Sequence, residues 1–211
     1  MKKMLKIPYG RLSEPQRLSC LNWAGEFPYK PGVEFRIGYD EGGIHLEYRV
    51  DEQSIRALQD VPGGYVYEDS CVEFFFQPYP DDPHYYNFEW NAIGTLYLAW
   101  RTGRQDPLNA PAEVLGMVKA EASCGSAPFA ERPSEGPWTL KVFIPLEALW
   151  KSELPLKDGK PSLSGLRARA NFYKCGDGLK VPHFVSWAPI STEKPDYHRP
   201  EFFGEVEFEC N

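Results

Sequence analysis

The chain has 211 residues, 15% of them aromatic, with 18 Gly, 20 Pro and a formal charge of −7 at pH 7. That length fits one domain. The rings exclude a disordered chain, because they bury too much surface to stay solvated. The acidic balance leaves no footprint for nucleic acid, and no apolar run approaches the ~18 residues of a membrane span.

The start, MKKMLKIPYGRL, is basic but leads into no apolar h-region. The expectation is a cytoplasmic protein, or a periplasmic or secreted one if a leader has been removed. Cys20, Cys71, Cys124, Cys175 and Cys210 are odd in number and form no CxxC. Reduced thiols are the simpler reading. Cys71 and Cys175 are close enough in character for a disulfide to remain the alternative.

Residues 1–31 read as an N-terminal extension packing on the domain formed by 32–211, with an extra edge strand as the alternative. Alternating apolar and polar residues then predict strands at 34–40, 43–50, 70–78, 85–92 and 94–101. Asp40-Glu41-Gly42-Gly43 and Ala92-Ile93-Gly94 read as hairpin turns. Residues 51–59 (DEQSIRALQ) predict a short helix capped by Asp51. Further strands are predicted at 115–122, 138–144, 167–175, 182–188 and 203–209. Pro145–Leu149 predicts a helical turn started by its proline. Residues 102–113, 124–137 and 188–202 read as loops, and long ordered loops often carry function. Ten short strands and very little helix predict an all-β, antiparallel two-layer β sandwich, immunoglobulin- or jelly-roll-like.

Strand period is two, so parity sorts side chains by face. Val72, Phe74 and Phe76, then Tyr86, Phe88 and Trp90, then Ala168, Ala170 and Phe172 read as core. The opposite parity collects Glu73, Asn87, Glu89, Asn91, Arg169 and Asn171, with Cys71 and Cys175 at the strand ends. If those strands are neighbours, this set forms a polar floor with no Lys in it. Antiparallel sheets commonly wet one face. Asn is depleted in strands, however, unless its amide finds a partner. A floor of carboxylates and amides suits sugar hydroxyls. Tyr65, Tyr67 and Tyr197, all in predicted loops, offer rings to stack on a sugar's C–H face.

The same segments carry a resemblance. Tyr67-Glu68-Asp69-Ser70-Cys71-Val72-Glu73 resembles the aromatic-x-x-D-S-V-E motif of family 9 carbohydrate-binding modules, and Asn87-Phe88-Glu89-Trp90-Asn91 resembles the strand that follows it. Phe184–Ala188 and Tyr197–Gly204 are similar to that family's closing S-W and aromatic-x-x-P-x-x-F-G segments. The match runs over about 32–209 and looks nearest to the stand-alone family-9-like proteins of Bacteroidetes.

The resemblance implies a DOMON-like sandwich and a role in carbohydrate catabolism. A saccharide end would lie between two aromatic platforms, here Tyr67 and Tyr197, over Glu73 and Asn91. Glu89 stands where sugar-binding members can carry an arginine. Members also bind structural calcium, for which Glu68, Asp69, Asp81 and Asp82 are the acidic candidates; no other cofactor is implied. Two other functions fit the residues. Glu73 and Glu89 could be the carboxylate pair of a glycoside hydrolase. Tyr197, His198 and Arg199 could anchor a protein partner.

Overall fold

A computed structural model describes residues 3–211. Its strands are β1 (Met4–Ile7), β2 (Gln16–Arg17), β3 (Gly32–Tyr39), β4 (Gly43–Asp51), β5 (Ser54–Ala57) and β6 (Cys71–Gln77). Next come β7 (Tyr85–Asn91), β8 (Leu96–Arg101), β9 (Leu108–Asn109), β10 (Lys119–Ala122), β11 (Phe129–Pro133) and β12 (Trp138–Pro145). The last are β13 (Leu156–Lys157), β14 (Lys160–Pro161), β15 (Arg167–Cys175), β16 (Phe184–Ser186) and β17 (Gly204–Phe208). One short helix, α1 (Ala112–Met117), and three 3-10 turns complete the elements described.

Two sheets face each other. The larger runs β1-β17-β15-β6-β7-β8-β9, with β16 also on β15, and the smaller runs β10-β12-β4-β3-β2. The fold is a β sandwich. Val33, Phe35, Ile37, Leu46, Tyr48, Leu140 and Val142 of the smaller sheet bury against the even-numbered core residues of β6, β7 and β15. Phe35 stacks on Phe172 across the interface at 3.8 Å between centroids, which ties the layers with a geometry aromatic pairs favour.

Parity therefore sorts the core as expected. The opposite face differs from the expectation of an open polar floor. Every residue of β6 and β7 is buried. A second apolar cluster covers that face, built from Trp23, Val66, Phe75, Tyr85, Tyr173, Tyr197 and Phe203. The cover comes from the 3-10 turn Val66–Glu68, the late loop 188–203 and the N-terminal segment. Trp23 Nε1 donates to the Thr192 carbonyl at 2.9 Å, joining two of these covers.

Two local expectations are corrected. Residues 54–57 form β5 rather than helix, pairing with β11 inside the segment read as a loop. Ile55 and Ala57 are buried while Ser54 and Arg56 are half-buried, so period two outweighs a segment too short to hold a helix alone. In 115–122 a helix occupies the first part, started after Pro111, and only 119–122 is strand. The N-terminal segment packs on the sandwich through edge strands: β1 pairs parallel to β17 and β2 antiparallel to β3. The Asp40–Gly43 hairpin forms, with Asp40 Oδ1 accepting from Gly42 N at 2.8 Å.

Candidate functional site

Strand register places the candidate side chains in rows. Glu73 on β6 is directly opposite Glu89 on β7, flanked by Tyr173 of β15 and Tyr97 of β8. Next to that row, Cys71 faces Cys175 on one side and Asn91 on the other. Above them is a cavity of about 340 Å³, at the small end of the ~300–1,000 Å³ usual for ligand pockets. Its floor is Glu73, Glu89 and Cys175, and its walls include Tyr65, Tyr67, Tyr97, Arg101, Arg104, Asp177, Asp196, Tyr197 and His198.

The two carboxylates are unusual. Glu73 is 3% exposed and Glu89 4%. Burial, then the charge of Glu89, pushes Glu73 well above the carboxylate range. Burial pushes Glu89 up to about 7, opposed by Arg101 and by a hydrogen bond from Asn87 Nδ2 at 2.5 Å. Glu89 Oε2 has no hydrogen-bond partner. A buried acceptor in that state is costly, and a ligand donor in the cavity would relieve it. Like charges side by side resist joint ionisation. Held toward the protonated form, the pair can present both an acid hydrogen and acceptors, which matches the mixed donor and acceptor character of a polyol.

One wall is cationic. Arg101 donates to the Tyr97 hydroxyl at 2.7 Å, and Arg104 pairs with Asp196 at 3.2 Å. His198 is held well below its usual range by burial and then by these arginines. It is neutral, and its Nδ1 lies 3.0 Å from the Tyr85 hydroxyl. Asp177, which also lines the cavity, is raised to about 6, chiefly by burial.

The expected site residues divide. Tyr67, Glu73, Glu89 and Tyr197 meet at the cavity. Tyr197 is a wall, not a free plate. One face stacks on Tyr173 at 4.1 Å, and its hydroxyl donates to the carbonyls of Lys174 and Val185. The freely exposed rings are Tyr67 and Tyr65, whose centroids lie 5.7 Å apart.

Asn87 lies behind Glu89 and supports it. Asn91 is fully buried, donating to Asp69 and Gln59 and accepting from Ile93 N and Thr95 N. Asn171 is bonded to Ala188 and to Phe172 N. Arg169 is opposite Gln77 and Glu205, four residues or about 13 Å along β15 from Tyr173. These last three do not line the cavity, because backbone partners or strand position take them away from it.

Among the calcium candidates, Asp69 accepts from Leu58 N, Gln59 N and Asn91 and pairs with Arg56 at 3.3 Å. Asp82 caps His84 N. Their carboxylates do not converge with those of Glu68 and Asp81 into a cluster of ligand atoms.

Sequence reading missed Tyr97, Arg101, Arg104, Asp177 and Asp196. Parity along 96–101 carries a signal for the first two, since Leu96, Leu98 and Trp100 form the other face. The remaining three lie in loops, where no periodicity exists.

The model for carbohydrate-binding family 9 matches residues 9–208. A Bacteroides uniformis structure, solved as that of a candidate carbohydrate-binding protein, is 39% identical. Its TM-score is 0.90, with 99% of this chain and 100% of that one covered. A family 9 module from Caldicellulosiruptor kristjanssonii in complex with glucose has the same fold at 12% identity and TM-score 0.60, covering 99% and 97%. A second structure of such a module from that organism, in complex with cellotriose, gives 10% and 0.53, covering 99% and 95%. Among curated proteins none matches. A family match over nearly the whole chain, on a sandwich of the same architecture, places it: this chain belongs to carbohydrate-binding family 9.

Proposed function

We propose that the protein is a non-catalytic binder of a mono- or oligosaccharide end, acting in carbohydrate catabolism, with the ligand seated on the Glu73–Glu89 floor. The observation that carries this reading is the unpartnered, nine-tenths-buried Glu89 Oε2 beneath a small cavity rimmed by Tyr65 and Tyr67. Family membership and the glucose and cellotriose held by its structural neighbours support it. Membership of a carbohydrate-binding family is what favours binding over hydrolysis.

Calorimetry against mono- and disaccharides, with and without calcium, tests the reading. The expected affinity is micromolar to millimolar, because one sugar offers few atoms. Tyr67→Ala should weaken binding about tenfold, the equivalent of ~1.4 kcal/mol for one lost stacking face. No reducing sugar should be released from an oligosaccharide that binds. If the panel is silent, or Tyr67→Ala binds as wild type does, the cavity is not a saccharide site.

A further inference from the structure

Sharing Glu73 with the carboxylate pair is a cluster whose two thiols the saccharide reading does not use. Cys71 and Cys175 are register partners on β6 and β15, with Glu73 two residues along β6 on the same face. The Cys175 thiol is 3.1 Å from Glu73 Oε1. Cys71 Sγ, Cys175 Sγ and a Glu73 carboxylate oxygen all lie within 4.8 Å of one another. All three residues are buried, at 0%, 2% and 3% exposure, and both cysteines are free thiols.

The cavity's two arginines have partners of their own. Arg104 is paired with Asp196, and Arg101 lies against Tyr97, both on the β8 wall. Glu73, Asp177 and Cys175 line the same cavity. Glu89 Oε2, buried and unpartnered, lies on the same floor.

We propose that Cys71, Cys175 and Glu73 form a binding site for one thiophilic divalent cation of the zinc class, with its remaining coordination position open to the cavity and Asp177. Two sulfurs and a carboxylate oxygen suit zinc's borderline-soft, tetrahedral preference, whereas calcium and magnesium take oxygen shells. Three protein ligands and one open position is the arrangement of a site that can exchange its fourth ligand. Binding is an acid–base exchange with no redox step. The metal displaces to solvent the two thiol protons and any proton held on the Glu73 carboxyl, and two metal–sulfur bonds and one metal–oxygen bond form. The inference stands apart from the saccharide reading, since its test uses no sugar.

The test is anaerobic titration of the reduced, chelator-treated full chain with cobalt(II) and then zinc. The expected result is one cobalt per chain, a thiolate-to-cobalt charge-transfer band, tetrahedral visible bands, and displacement by one equivalent of zinc. Cys71→Ser and Cys175→Ser should each diminish the charge-transfer band. Glu73→Gln should weaken cobalt binding by more than the ~10–100-fold typical of losing an outer-shell partner. X-ray absorption of the zinc-loaded wild type needs no variant and should show two sulfurs at ~2.3 Å. The proposal is overturned by a missing band at stoichiometric cobalt, by a full band in the double variant Cys71→Ser/Cys175→Ser, or by an all-oxygen and nitrogen zinc shell.

Discussion

Asn171 and Glu89 point from the same face of one sheet, yet only Glu89 opens onto the cavity. The difference is partners. The Asn171 amide is bonded to Ala188 and Phe172 N, whereas one oxygen of Glu89 has nothing. Polar type therefore marks a position as demanding a partner, and local geometry decides whether that partner is backbone or ligand.

His183 shows the same logic in stability. Burial and then Lys174 push its pKa down to about 3. It faces Lys174 Nζ at 2.7 Å, Glu52 Oε2 at 3.5 Å and the Tyr29 ring at 5.3 Å. Between pH ~6.5 and ~3 the unfolded chain takes up a proton that the folded one refuses, so this group lowers stability as pH falls through that window. Urea unfolding at pH 6.5 and 4.5 should show wild type losing about 2 kcal/mol more than His183→Gln. Parallel losses in the two proteins would refute the assignment.

At the scale of elements, turns and bare backbone set the register on which the site depends. Gly43 opens β4 at φ +155°, and a Cβ there would lie 2.1 Å from the Ile144 carbonyl oxygen of β12. Backbone on both sides cannot move aside without breaking the ladder. Gly43→Ala should cost ~3 kcal/mol or more, seen as a lower denaturant midpoint with the slope unchanged. A midpoint equal to that of wild type would mean that the hairpin is not held in this geometry.

At the scale of the whole molecule, the site exists because a second layer covers the outer face of the larger sheet. Trp23 is the hinge point of that cover, packing on Phe184 and Tyr197 and bonded to the Thr192 carbonyl. Trp23→Ala should cost ~3–5 kcal/mol. Its signature is local: amide exchange at Tyr197, His198 and Arg199 should rise, while β3, β4 and β12 stay protected. Uniformly faster exchange would show that the cover is not a separate unit.

The sequence by itself determined the sandwich, the core face of each long strand and the Glu73–Glu89 pair. Period-two alternation reports burial directly, and the motif around Tyr67–Glu73 is contiguous. It also marked Tyr67 and Tyr197, as residues of loops bordering those strands. Tertiary structure alone decided which polar residues reach the cavity. Asn91, Asn171 and Arg169 carry the same parity signal as Glu89, and what separates them is carbonyls, amides and distances contributed by distant parts of the chain. It also turned 54–57 into strand, because β11 arrives to pair with it. It brought Arg104, Asp177 and His198 together from three loops. Alternation is a local property of the chain, whereas pairing and covering depend on contacts between residues far apart in it, and no periodicity encodes those.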